Sequence, residues 1–305
     1  MRSLLKDIIS LLGVFSFAFL MVAWAMSAKA DTSKPSIVEI IEITGVINDG
    51  VPSALARAVE TINENQRAKV VLLVMNSPGG GAVASASAYE ELGKLKVPVV
   101  AWCDHVCASG GMYILMSPVV KFVGVRSETI AGSIGVIATV TRFNRLLEWL
   151  KIDNETYVSG ALKDASNPTR AVRDDERKYI QAIISGLAER FYGVVEKSRK
   201  VTDWGAVKTG RIFSGSEAVK VGLADAVMTR EEAVKKAKEL SKVQTIFTRE
   251  EMKKMSRAAD DQAVYAVPGV RPQTQYGDIA WLIETLKEIR AGDVVSFSYV
   301  MPYKF

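Results

Sequence analysis

Val70-Val71-Leu72-Leu73-Val74-Met75 runs straight into Asn76-Ser77-Pro78-Gly79-Gly80-Gly81, and the same grammar returns at Val97-Pro98-Val99-Val100-Ala101-Trp102, which leads to Ala108-Ser109-Gly110-Gly111. A short unbroken apolar run bounded by turn signals fits a strand buried on both faces, the kind found in parallel sheets. Residues 85–95, between the two runs, read as a helix, and residues 112–116 open another directly after the second glycine turn. Working outward, residues 37–43 form a further strand and Asn48-Asp49-Gly50 a turn. Residues 52–66 make a helix with Leu55, Val59 and Ile62 on one face. Downstream, strands are predicted at residues 119–125, 135–140 and 155–158, and helices at 142–150 and 174–200. Strands alternating with helices predict an α/β domain with a layered, largely parallel sheet.

Composition sets the outer limits. The chain has 305 residues, 49% of them hydrophobic, enough for a substantial core. Its formal charge is +5, falling to +3 once residues 1–30 are set aside, with acids and bases well mixed. No basic stripe interleaved with aromatics is present, so nucleic acid is not an expected partner. Residues 8–28 are uncharged. At about 1.5 Å per residue they reach across a hydrocarbon layer of about 30 Å. Arg2 and Lys6 before them favour a cytoplasmic start for a transmembrane anchor. Ala28-Lys29-Ala30 equally fits the small-x-small cleavage pattern of an export signal. Either reading of residues 1–30 puts the rest of the chain outside the cytoplasm.

The chemistry centres on Ser109. The chain has one histidine, His105, and none after the serine. A Ser-His-Asp triad on this type of scaffold needs a downstream histidine, so a hydrolase built on Ser109 has to use another base. Lys163, in Ser159-Gly160-Ala161-Leu162-Lys163-Asp164, is the candidate. A free lysine titrates near 10.4, so acting near pH 7 requires a fall of roughly three units, about 4 kcal/mol, which burial among apolar groups can supply. Both glycine turns can bring bare backbone N–H groups up to an anion. Each turn alone is equally a tight strand-to-helix connection.

Taken in order, Asn76-Ser77-Pro78-Gly79-Gly80-Gly81, Ala108-Ser109-Gly110-Gly111, Gly132-Ser133-Ile134-Gly135-Val136, Ser159 to Asp164, and Thr209-Gly210-Arg211-Ile212-Phe213-Ser214-Gly215 with Gly222-Leu223-Ala224-Asp225 resemble the S49 serine peptidases, the family of signal peptide peptidase A, in its short single-domain form. The resemblance covers residues 37–240. It implies a Clp-protease/crotonase-like layered fold, a membrane-bound serine endopeptidase, and a ring-like homo-oligomer, with no cofactor. It further implies that Ser109 is the nucleophile and Lys163 the general base. Ser133 would hydrogen-bond the lysine amine, and the backbone N–H groups of Gly80 and Gly110 would form the oxyanion hole. The implied substrates are apolar peptide segments, such as signal-peptide remnants or stretches of membrane proteins. A non-catalytic scaffold that binds such segments is the alternative. An acyl-CoA enzyme of the crotonase type shares the fold but conflicts with an export segment.

Several positions depart from the family's usual pattern. Ala131 replaces a common Thr, Met112 stands where an aromatic is frequent, and Cys103-Asp104-His105-Val106-Cys107 is an unusual approach to the serine. As a metal site, Cys-x-His-x-Cys lacks an evident fourth ligand. As a disulfide in an exported protein, it meets a geometric obstacle: in an extended segment the two Cα atoms lie about 13 Å apart, too far to bridge. Small residues packed around the turn, with His105 at its rim, are the remaining expectation. Beyond residue 240 the reading is a linker over 241–277 and a C-terminal helix and tail over 278–305, the helix presenting Ile279, Leu282, Ile283, Leu286 and Ile289 on one face. No internal repeat is evident.

Overall fold

The computed structural model describes residues 36–243, 246–251, 265–266 and 297–300. The anchor or signal expectation for residues 1–30 and most of the expectations for residues 241–305 lie outside them. Among the described residues no helix is long and apolar enough to cross a membrane.

The order of elements follows the predicted alternation. β1 (Ser36–Thr44), α1 (Gly50–Glu64), β2 (Ala68–Ser77), the short β3 (Gly79–Gly81) and α2 (Ala82–Gly93) come first. β4 (Val99–Ala108), α3 (Gly110–Leu115), β5 (Val120–Val125), β6 (Ile130–Gly132) and β7 (Ile137–Ala138) come next. Then come α4 (Asn144–Trp149), the long α5 (Asp174–Ser198), α6 (Trp204–Val207), β8 (Ile212–Ser214), α7 (Gly215–Lys220), β9 (Ala226–Val227) and α8 (Arg230–Leu240). β10 (Ile246–Thr248), β11 (Tyr265–Ala266) and β12 (Phe297–Val300) complete the described strands.

The main sheet runs β10-β1-β2-β4-β5-β9, every pairing along it parallel. Its central strands are covered on both faces, which is why their sequences read as unbroken apolar runs. Val71, Leu73 and Met75 of β2 face a core that includes Leu55, Val59 and Ile62 of α1 and Met112 to Met116 around α3. Val70, Leu72 and Val74 alternate onto the opposite face, where Ala233 and Ala237 of α8 close over Val100 and Trp102. β6 departs from this plane: it pairs parallel with the end of β4 and antiparallel with β8. A second small sheet places β12 antiparallel between β3 and β7.

Three predicted elements are corrected. Residues 155–158 form no strand. Tyr157 is 88% exposed there, and with no strand edge among the described residues pairing with it a β-rich tetrapeptide stays irregular. The helix expected over residues 142–150 shrinks to α4, none of whose residues is buried. Residues 135–140 yield only the two-residue β7.

Candidate active site

Three chain segments arrive side by side at the carboxyl end of the sheet. Ser77 of β2 lies opposite Cys107 of β4, and Cys107 lies opposite Ala131 of β6. Two positions beyond this rung, each segment turns through a left-handed residue: Gly79 at φ 105°, Ser109 at φ 51° and Ser133 at φ 51°. Only glycine takes such angles freely, so the two serines hold strained backbone, the kind of conformation that persists only when its surroundings impose it.

Those surroundings are specific. The Ser109 N–H donates to the Gly132 carbonyl at 2.8 Å, and the Ser109 carbonyl accepts the Tyr113 N–H at 3.0 Å, so the serine caps α3 and is stitched to β6. A Cβ on Gly111 would crowd the Ser77 carbonyl at 3.1 Å, so the two turns pack closely here. Ser109 is only 1% exposed. The N–H of Gly110, the first residue of α3, is one of the four at a helix start without an intrahelical partner. The Ser133 N–H donates to the Arg211 carbonyl at 2.9 Å, which ties its turn to the segment entering β8.

The Gly79 turn is built the same way. Ser77 Oγ accepts the Gly79 N–H at 3.1 Å. Ile47 donates to the Gly79 carbonyl and accepts from the Gly81 N–H, at 2.8 and 2.9 Å. With its neighbours engaged on that side, Gly80 turns its own N–H and C=O to the opposite edge, where β12 pairs with it. A Cβ on Gly80 would sit 2.0 Å from the Ile47 oxygen, so no other residue fits.

Lys163 stands apart. It is exposed, and among the described residues no hydrogen bond links it to Ser109 or Ser133. Its loop is fastened instead to the start of α5. Arg170 donates to both carboxylate oxygens of Asp164, Nε to Oδ2 at 2.9 Å and Nη2 to Oδ1 at 2.8 Å, and also grips the buried Glu176. Glu176 in turn accepts the Arg173 N–H, and Arg173 reaches the Ala161 carbonyl. The Arg170 guanidinium holds Asp164 and Glu176 down at about 2, well below the usual carboxylate range. The other end of α5 meets the body: Phe191 is buried, its ring 4.9 Å from that of Tyr113 in α3. Fifteen residues of helix separate Glu176 from Phe191, a span of about 22 Å at 1.5 Å per residue. α5 thus runs from the segment that carries Lys163 to the part of the core beside Ser109.

Two features escaped the sequence. The Arg170-Asp164-Glu176 cluster shows only as charges spaced six apart, a pattern indistinguishable from a solvated surface. The second is a correction: Cys103 and Cys107 form a disulfide, with Cα atoms 5.8 Å apart. The expected 13 Å held for an extended segment, but β4 bulges between the cysteines, and the bulge folds their Cα atoms together. His105 sits exposed at its tip beside Asp104, Nδ1 to Oδ2 3.0 Å.

Comparison with known proteins agrees with this architecture. The Clp protease family model matches residues 29–121, in keeping with a Clp-protease-like α/β fold. The model of Peptidase family S49 matches residues 91–244, and the chain belongs to that family. It is 39% identical over 191 residues to a putative signal peptide peptidase SppA of Enterococcus faecium, covering 61% of this chain and 55% of that protein. It is 34% identical over 209 residues to the putative protease slr0021 of a Synechocystis strain, covering 66% and 73%. It is 35% identical over 190 residues to the putative protease MJ0651 of Methanocaldococcus jannaschii, covering 61% and 60%. The chain thus spans little more than half the length of the first of these relatives.

Proposed function

We propose that the protein is a serine endopeptidase whose site is completed between neighbouring protomers of a ring-like homo-oligomer. Ser109 is the nucleophile, and Lys163 of an adjacent copy is the general base, steadied by Ser133. The Gly80 and Gly110 N–H groups receive the developing oxyanion. Neutral lysine takes the hydroxyl proton as Ser109 Oγ attacks the peptide carbonyl. The proton passes to the leaving amine, and water then cleaves the ester with the lysine as base again. The observation that carries this reading is the convergence of three left-handed turns on one level of the sheet while the only lysine candidate sits, exposed, at the far end of α5. Covering that lysine with a neighbour would also desolvate it, as a base working near neutrality requires.

The surface around Lys163 supports the assembly. Trp149 is 77% exposed, and Leu146, Leu150, Ile152, Tyr157, Val158 and Leu162 lie open on the same arm. A monomer gains nothing from so much uncovered apolar surface, whereas a protomer–protomer contact buries it. The slot between β3 and β7 supports a peptide substrate, since β12 already lies in it as an antiparallel strand. An extended peptide in its place would gain the same main-chain hydrogen bonds and pass the Gly80 amide. Residues 8–28 would hold the domain at the extracytoplasmic face of a bacterial inner membrane, or export it after cleavage at Ala30. Apolar signal-peptide remnants or membrane-protein segments would then be within reach.

The direct test of the chemistry is labelling of the full-length protein with a fluorophosphonate, followed by peptide mapping. The expected adduct is on Ser109, lost in Ser109→Ala. Absence of an adduct from an assembled protein that still binds unstructured peptides would favour the non-catalytic scaffold instead.

A further inference from the structure

β4 carries two more residues than β2 between the same pair of rungs. Met75 lies opposite Cys103, and Ser77 opposite Cys107. The two surplus residues bulge out around Asp104 and His105, Val106 already pairing with Ile130 of β6, and the disulfide closes the neck of that bulge. Both cysteines are fully buried. The loop is tied to the two flanking segments as well. Thr129 Oγ1 donates to the carbonyls of Cys103 and Asp104 at 3.1 and 2.8 Å, just before β6. The Val106 N–H donates to Asn76 Oδ1 at 3.2 Å, at the end of β2. Arg126 Nε donates to Asp104 Oδ1 at 2.9 Å.

The rung at the neck, Ser77, Cys107 and Ala131, is the one from which Gly79, Ser109 and Ser133 are each two residues on. Because β4 and β6 are paired beyond the bulge, its size fixes the level of Gly79 relative to Ser109 and Ser133. An unbridged bulge can be drawn back into its strand. A slip of one residue turns every side chain of the segment to the other face, and a slip of two moves Ser109 by about 6.6 Å along the strand.

We propose that the Cys103–Cys107 disulfide is a positioning element for the reaction: it locks the bulge and with it the register that brings Gly79, Ser109 and Ser133 together, so that turnover depends on the oxidised pair. This rests on the peptidase reading. A dithiol reductant removes the lock by transferring two electrons. The S–S bond breaks, two thiols form, and the dithiol closes into its own disulfide. Because both sulfurs are buried beneath an exposed loop, exchange proceeds through opening of residues 104–106.

The test uses the full-length assembled protein in three states: as purified, reduced with dithiothreitol until two thiols per chain are counted, and re-oxidised. Each is assayed for the rate of fluorophosphonate labelling at Ser109 and for kcat and KM on a peptide substrate, beside Cys103→Ala/Cys107→Ala and Cys103→Ser/Cys107→Ser. Reduction is expected to lower labelling and kcat by about 10²-fold, the scale of an ångström-sized misplacement, with KM nearly unchanged. Re-oxidation restores both, and the double variants stay slow and indifferent to reductant. Labelling and kcat that remain within about twofold while the melting temperature falls would reveal a merely structural bond and overturn the proposal. So would free thiols in the protein as purified. If Ser109 is unlabelled even when oxidised, the peptidase reading fails, and the register claim is read from amide hydrogen exchange at residues 77–80 and 131–133. Exchange that accelerates on reduction supports the lock, and unchanged exchange refutes it.

Discussion

Ser109 sits at φ 51°, ψ −120°, a conformation that glycine takes freely and serine does not. The strain is of the order of 1–3 kcal/mol and is held in place by the Gly132 carbonyl on one side and Tyr113 on the other. Ser109→Gly should therefore remove all peptidase activity while leaving the protein as stable or raising its stability by about 1 kcal/mol, measured by urea denaturation. A loss of more than about 1 kcal/mol would show that the turn is not strained. The opposite asymmetry holds at Gly80. Its missing Cβ is replaced by the Ile47 backbone, so Gly80→Ala forces β3 away from the loop before α1 and shifts the Gly80 N–H. The expected result is a fall in kcat of about 10²-fold or more, the usual consequence of losing one oxyanion donor, with Ser109 still present. Near-normal turnover in that variant would remove Gly80 from the site.

At the scale of elements, the segment between β7 and α5 has almost no core of its own and is held by charge. Asp164 and Glu176 have folded-state pKa values of about 2, against ordinary values of 3.8 and 4.5, because Arg170 favours their ionised forms. Depressed carboxylates contribute stability that is present above the ordinary values and is lost as pH falls toward 2. Protection of residues 160–176 against hydrogen exchange, taken relative to the intrinsic rate at each pH, should thus be constant above about pH 5 and fall below about pH 4, before the sheet opens. Uniform protection of this segment down to pH 2 would contradict the arrangement. Arg170→Ala should likewise lower turnover by about 10²-fold through misplacement of Lys163, leaving unfolding of the main sheet within about 1 kcal/mol of wild type.

The same scale shows what the residues alone disclose. The parallel sheet is readable because both faces of β2 and β4 are buried, and burial on both faces leaves a short apolar run bounded by turn signals. Ser109 stands out because its turn is written in glycine and opens a helix, whereas Ser133 is singled out only by the family resemblance. The failures have one cause: interactions that depend on where separate segments meet. Residues 155–158 look like a strand until no neighbouring edge receives them. Cys103 and Cys107 look too far apart until a two-residue mismatch with β2 folds the chain between them. Arg170 looks like any surface arginine until Asp164 and Glu176 close around it.

For the whole molecule, the proposed function turns on how far the Lys163 loop lies from the Ser109 turn. One end of α5 holds the Lys163 loop and the other packs Phe191 against Tyr113, four residues from Ser109, with about 22 Å of helix between them. On the proposed reading, a protomer would carry a serine without a base and a base without a serine, and the exposed apolar arm is where a second copy would complete both. The measurement that tests this most directly mixes two inactive full-length proteins, Ser109→Ala and Lys163→Ala, under conditions where subunit exchange is shown by mass. Sites shared between protomers predict recovery of a substantial fraction of peptidase activity, because some contacts then pair an intact serine with an intact lysine. Mixed oligomers with no activity, while wild type treated alike stays active, would place both groups within one chain and contradict the account.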